Sequence, residues 1–478
     1  MKLRVRLRFL CVVSLLLTGC MVGPNYQRPA VELPARYPGS VDAAAAADVV
    51  VERWWTLFND PTLNALVEAA LTDNFDVQKA VARIEETNAN LRAVDAAFLP
   101  EIDLGASASR SRASSAVASP PAPGTLSIRN DLRLAVSSTF ELDFWGRLRR
   151  LAEAARAQAL GSQYAKDVVT LSLAGLVTQT YFSLRSLDAQ IANTRSTLVT
   201  RDDAFSLVKR RADAGYASDL DLRQAEGSRA DISVQLKELV RQRALVEHQL
   251  GVLTDRLDLA VSSGSLSLLP QPPLPPPGLP STLLERRPDI RVAEQQLVAE
   301  NALVGVAVAA QLPTISLTGN FGGQSSTLAA LVTGPARIWS IGVGLTAPIF
   351  DAGKLEALAD AERARYKQAL ATYQQTISIS FREVADALTN VEQLASTEID
   401  LQVSVNAARE TLRLANRRYE AGYSGYLEVL DAQRSLNIGE LLLIRNRQAL
   451  LAADVDLMKA LGGGWRAEQQ AAVTLPVQ

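Results

Sequence analysis

Arg211-Ala212-Asp213-Ala214-Gly215-Tyr216-Ala217-Ser218-Asp219-Leu220 returns 207 positions later as Arg418-Tyr419-Glu420-Ala421-Gly422-Tyr423-Ser424-Gly425-Tyr426-Leu427. The same displacement lays Gly146, Leu148, Arg156 and Ala225 on Gly353, Leu355, Arg363 and Ala432. A displacement of 213 matches Asp76, Ala80, Asn88, Leu99, Pro100 and Ile102 with Asp289, Ala293, Asn301, Leu312, Pro313 and Ile315. The chain is therefore a tandem duplication of one structural unit. Between the copies, Pro270-Gln271-Pro272-Pro273-Leu274-Pro275-Pro276-Pro277 reads as a semi-rigid polyproline linker.

Each copy reads as helix, strand, long loop, strand, very long helix, tight turn, helix. Prolines are absent between Pro123 and Pro270 and again between Pro348 and Pro476, in a chain that has 21 of them. Those two stretches are rich in Ala, Leu, Arg, Gln and Glu, so they permit long helices, expected over 146–214, 217–253, 353–421 and 426–461. The longest span roughly 100 Å at 1.5 Å per residue. Val177, Leu184, Ile191, Leu198 and Phe205 recur every seventh residue. Their displaced counterparts are Val384, Val391, Glu398, Val405 and Leu412, a supercoiling repeat broken only by Glu398.

Period-two alternation marks strands near 101–110, 130–142, 314–322 and 337–349, as in Ile102-Leu104-Ala106 and Ile341-Val343-Leu345. Small-residue loops from Ser111 to Asn130 and from Gly322 to Pro335 separate the strand pairs. Short alternating segments are the signature of a membrane β-barrel, although an edge sheet on a soluble domain reads similarly. Phe140, Phe144, Trp145, Trp339 and Phe350 near these strands suit an interfacial girdle. Four strands cannot close a barrel, and an open edge in lipid leaves backbone groups unsatisfied, so spanning strands require oligomerisation.

The N-terminus carries Lys2, Arg4, Arg6 and Arg8, then an apolar run from Phe9 to Leu17, a secretory signal too short to serve as a stable anchor. Leu17-Thr18-Gly19-Cys20 follows and resembles a bacterial lipobox, with Cys20 as the lipidated first residue of the mature chain. Losing the signal removes Cys11, leaving one cysteine and no internal disulfide. The four basic residues leave with it, taking the formal charge from -2 to about -6. That balance offers no basic face for nucleic acid, and nothing resembles a phosphate loop. His248 is the only histidine, set in a helical run, so it reads as a packed or solvated helix residue rather than a catalyst. No cofactor or metal is expected, and no enzymatic activity.

Three blocks resemble the outer membrane factor (TolC-like) family, in its NodT-type efflux lipoprotein branch. They are Gly23-Pro24-Asn25-Tyr26-Gln27-Arg28-Pro29; Arg286-Arg287-Pro288-Asp289-Ile290-Arg291-Val292-Ala293-Glu294; and Arg418 to Tyr423 with Leu427-Glu428-Val429-Leu430-Asp431-Ala432-Gln433-Arg434-Ser435. The resemblance implies a mainly α protein with a membrane β-barrel part. Its homotrimer would build a twelve-stranded barrel continued by a coiled-coil α-barrel in the periplasm. It divides the chain into a signal peptide (1–19), a lipidated segment and part of an equatorial belt (20–75), a first repeat (76–269), the linker (270–280), a second repeat (281–465) and a tail (466–478).

The implied function is the outer-membrane exit duct of a tripartite efflux system. A periplasmic adaptor and an inner-membrane transporter of the resistance-nodulation-division class are the implied partners, beside outer-membrane lipid. The resemblance makes Gly215, Tyr216, Gly422 and Tyr423 the tip turns and adaptor contacts. It makes Leu427 an apolar constriction and Asp431, with Glu428, a carboxylate ring; an ordinary solvated helix face is the competing reading of these three. Some relatives carry a latch arginine just past the turn, where this chain has Ser424 and Gly425; Tyr419 matches a latch tyrosine and Arg418 is a substitute cation. A type I secretion channel and a coiled-coil lipoprotein without a duct remain the alternatives.

Overall fold

The structure is a computed structural model describing residues 21–31, 34, 53–112, 114, 128–266, 269–272 and 283–463. Helices α1 (Pro61–Asp73) and α2 (Phe75–Asp95) lead into strands β1 (Glu101–Arg112) and β2 (Ile128–Leu142). Helices α3 (Arg147–Asp213) and α4 (Asp219–Leu253) complete the first copy. The second copy repeats the order with α5 (Pro288–Ala309), β3 (Thr314–Ser325), β4 (Arg337–Thr346), α6 (Lys354–Glu420) and α7 (Tyr426–Ala460). The long helices α3 and α6 are both 67 residues, and α4 and α7 both 35, so the duplication survives to the residue. Strand β4 stops at Thr346 rather than reaching 349, where Pro348 has no amide to give a ladder.

The chain divides into two units. One holds Arg83–Gln163 and Val292–Tyr373 with the N-terminal stretch up to Ala30. Its antiparallel sheet has the order β1-β2-β3-β4. The registers Leu104↔Val136, Val136↔Phe321 and Phe321↔Trp339 put these four on one face. Alternation adds Ile102, Leu134, Phe140, Leu317, Ile341, Val343 and Leu345 to it. The opposite face carries Asp103, Ser107, Arg133, Ser137, Thr139, Asn320, Thr318 and Ser340. Ile341 is 83% exposed and Val343 72%, an apolar surface a soluble sheet would bury. Among the described residues no helix is long and apolar enough to cross a membrane.

At the root of this sheet the N-terminal stretch is strapped down. Arg150, almost fully buried, donates to the Val22 and Gly23 carbonyls (3.3 and 3.2 Å) and to Asn25 Oδ1 (2.7 Å). Arg28 reaches Glu294 at 2.7 Å, and Asn301 Nδ2 donates to the Pro24 carbonyl at 2.9 Å. A Cβ on Gly23 would lie 2.5 Å from Gly305 Cα, so the strap needs glycine there. Cys20 lies outside the described residues.

The second unit holds Val31–Ala82, Tyr164–Arg291 and Gln374 onward. Its main core joins Trp54, Phe58, Leu63 and Val67 to Val177, Phe182 and Leu184 of α3, Leu250 of α4 and Leu451, Val455 and Met458 of α7. Beside it runs a buried polar chain. Asp60 caps α1 and accepts the Tyr181 hydroxyl, whose oxygen accepts Arg185 Nε at 2.8 Å. Asp188 then takes Arg185 at 3.2 Å and Arg243 at 2.6 Å. The heptad positions Val177, Leu184, Ile191, Val384, Val391 and Val405 are all buried, whereas Glu398 pairs with Arg447 at 3.3 Å.

Two end-to-end helix junctions echo one another. Asn74 Nδ2 donates to the last carbonyl of α4, Leu253, at 2.9 Å. Arg287, at the displaced position, donates to the last carbonyl of α7, Ala460, at 3.1 Å. Each satisfies a helix-terminal acceptor that would otherwise be orphaned.

Candidate functional site

The two helix turns close identically. Gly215 (φ +79°) and Gly422 (φ +80°) supply the left-handed residue after α3 and α6. Tyr216 N–H donates to the Arg211 carbonyl at 2.7 Å and Tyr423 N–H to the Arg418 carbonyl at 2.9 Å, the six-to-one bond of a Schellman turn. Tyr216 and Tyr423 project from these turns, 86% and 81% exposed.

Past the turns the copies diverge. Ser218 and Asp221 form a capping box, the hydroxyl accepting Asp221 N–H at 3.1 Å while the carboxylate accepts Ser218 N–H at 3.3 Å. At the matching place α7 has Gly425 as N-cap, with no side chain to cap it. Glu428, the counterpart of Asp221, turns instead to Arg418 Nε at 3.2 Å.

An apolar cluster ties the two turns together: Val208 of α3, Ala225 of α4, Ala415 of α6 and Tyr426, Val429 and Ala432 of α7. Tyr419 packs against Tyr426 with ring centroids 5.6 Å apart and the rings tilted by 59°, and the Arg211 guanidinium lies 4.9 Å over the Tyr419 ring. Burial, joined by the Tyr419 and Asp221 charges against an opposing pull from Arg201, raises the Tyr426 phenol above its ordinary value, so it stays protonated.

Burial of Tyr426, Val429 and Ala432 fixes the rotation of α7 and turns Leu427, Glu428 and Asp431 to the opposite, exposed face. Leu427 is 62% exposed and lies outside the apolar cluster that joins the turns. The structure thus brings Arg418 to Glu428, and Tyr419 to Arg211. Asp431 is exposed. The contact the sequence reading missed is Arg211 over Tyr419; its only trace was that Arg211 is the displaced counterpart of Arg418. His248 is an exposed residue of α4.

The outer membrane efflux protein family model matches residues 66–254 and 279–463, one stretch on each copy. Outer membrane protein OprJ of Pseudomonas aeruginosa is 36% identical over 465 residues, covering 95% of both chains. The cation efflux system protein CusC of Escherichia coli is 34% identical over 461 residues, covering 95% of this chain and 98% of its own. A crystal structure of a membrane protein from Pseudomonas aeruginosa superposes with a TM-score of 0.87 at 34% identity, covering 95% of this chain and all of the other. The chain belongs to the outer membrane efflux protein family and is the outer-membrane channel component of an efflux system.

Proposed function

We propose that three copies of the chain join their sheets into one twelve-stranded barrel and form a passive exit duct, without enzymatic activity, for small molecules. The observation that carries this reading is the sheet itself: one face is exposed and apolar, and its edges β1 and β4 have no further strand among the described residues. In lipid each unpaired edge group costs several kcal/mol, and pairing β1 of one copy with β4 of the next removes both edges. The helices support the same arrangement. Val234, Leu245 and Val252 of α4, with Ile399 and Val403 of α6, stay more than half exposed, apolar side chains suited to a neighbouring copy.

Around the threefold axis Leu427 forms an apolar constriction and Asp431 a carboxylate ring that attracts cations. Glu428 is a weaker member of that ring, because Arg418 neutralises it within its own turn. Arg211 takes the place of the absent latch arginine by holding Tyr419. The exposed Tyr216 and Tyr423, on the turns set by Gly215 and Gly422, present the surface for a periplasmic adaptor, which links the duct to an inner-membrane transporter of the resistance-nodulation-division class. Lipid on Cys20 anchors the strap. The test is reconstitution of the detergent-purified chain in planar bilayers. Heat-resistant trimers with discrete, cation-preferring conductance are expected; folded trimers that carry no current would leave a structural rod instead.

A further inference from the structure

We propose that Arg201 and Arg434 form a binding site for one small oxyanion, of the phosphate or sulfate class, in the seam between α3 and α7. Two side-chain contacts set the register of this antiparallel seam. Gln179 bonds Asp456 at 2.8 Å, and eleven residues further along α3 Gln190 bonds Arg445, eleven residues back along α7, at 3.2 Å. Continuing by the same step sets Arg201 across from Arg434.

Arg201 is only 4% exposed, yet its Nε and Nη1 have no hydrogen-bond partner among the described residues. Its neighbour Asp202 is engaged by Arg229 of α4 and does not serve it. Burial, with Arg434 repelling, weakens its hold on the proton, against partial support from the Tyr426 phenol. Beside Arg434 on α7, the buried Gln433 leaves its amide oxygen without a partner among the described residues. A terminal amide turned over presents its NH2 instead. Coiled-coil packing does not demand the charge, since Ala408 occupies the displaced position in the second copy.

A buried cation without a counter-ion is strongly destabilising. The guanidinium fork matches an oxyanion through paired, charge-assisted bonds, which a second arginine at the mouth strengthens. The 4% exposure restricts the occupant to a free ion, because a side chain from another protein cannot enter without parting the helices. Arg201 lies twelve residues before the end of α3, about 18 Å at 1.5 Å per residue. An anion held there clasps the α3–α4 hairpin to the α6–α7 hairpin just above their turns.

The test is isothermal titration of inorganic phosphate into the detergent-purified full chain, with ionic strength held constant by chloride. Saturable binding of about one ion per chain is expected, with Arg201→Met weakening it roughly tenfold or more and Arg201→Lys less, as for loss of a charge-assisted bond. Arg434→Gln, at an exposed position, weakens it too and carries the test if Arg201→Met fails to fold. In phosphate-free buffer Arg201→Met melts higher than wild type, and phosphate no longer shifts it. No saturable binding by wild type, or equal binding by folded Arg201→Met and Arg434→Gln variants, would make any bound phosphate an adventitious ion only and overturn the site.

Discussion

The two copies share backbone devices and differ in polar side chains. Both turn on a left-handed glycine with the same six-to-one bond, and both join helix ends through a donor at the same displaced position. Yet Tyr181, Arg185 and Asp188 of the first copy correspond to Leu388, Glu392 and Ala395 of the second. The buried polar chain that links the cap of α1 to α3 and α4 therefore has no counterpart at the displaced positions. At the turns the asymmetry reverses: Asp221 is engaged in capping its own helix, while Gly425 leaves Glu428 free to reach Arg418. Duplication preserved geometry, and divergence gave the first copy the buried polar chain and the second the exposed Arg418–Glu428 pair beside its turn.

The largest expected difference between the copies lies in the anchor. Asp188→Ala would take from buried Arg185 the carboxylate it faces and leave Arg243 with Glu247 alone, lowering stability by about 3–5 kcal/mol. Glu398→Ala touches one partly exposed pair, with Arg447, and should cost about 1 kcal/mol or less. Trimer melting of the two variants side by side measures this, and equal losses would deny that the anchoring is concentrated in the first copy.

A smaller, pH-dependent contrast separates Glu247 from its counterpart Asp454. Glu247 accepts the Val261 amide at 2.7 Å and Arg243 at 3.0 Å. Asp454 is fully buried, and burial pushes it up to about 7, against partial relief from Gln271 and Arg447. A carboxyl with a raised folded-state pKa stabilises below its unfolded value, near 4, and that contribution is lost as pH rises toward 7. Asp454→Asn should therefore melt several degrees higher than wild type at pH 8, with the gain fading by about pH 4. A gain independent of pH would contradict the assignment. The smallest contrast is the cap: Ser218→Ala should cost about 1 kcal/mol, whereas Gly425→Ser should gain a few tenths. Both are read from the melting temperature.

The duplication, the two very long helices and the strand pairs were legible because periodicity and displaced identities are local properties of a sequence. Gly215 and Gly422 were legible for the same reason, since a turn of this hand calls for glycine. The anchor was not, because Asp60, the Tyr181–Asp188 stretch and Arg243 are distant in sequence and meet only when the start of α1 packs with α3 and α4. Nor was the pairing of Arg211 with Tyr419, which joins residues of different copies. The tip face of Leu427, Glu428 and Asp431 was readable as a helical spacing, but Glu428 divides its allegiance: sequence spacing groups it with Asp431, and folding brings it to Arg418.

The proposal that Leu427 of the second copy forms the constriction is tested most directly by single-channel recording of one matched pair. Leu427 and its counterpart Leu220 are both exposed, at 62% and 66%, so exposure alone does not distinguish them. Leu427→Ala should raise the resting conductance of reconstituted trimers severalfold by widening the apolar ring, while Leu220→Ala leaves it unchanged and both assemble normally. Equal conductance changes in the two variants, or none in either, would contradict the account.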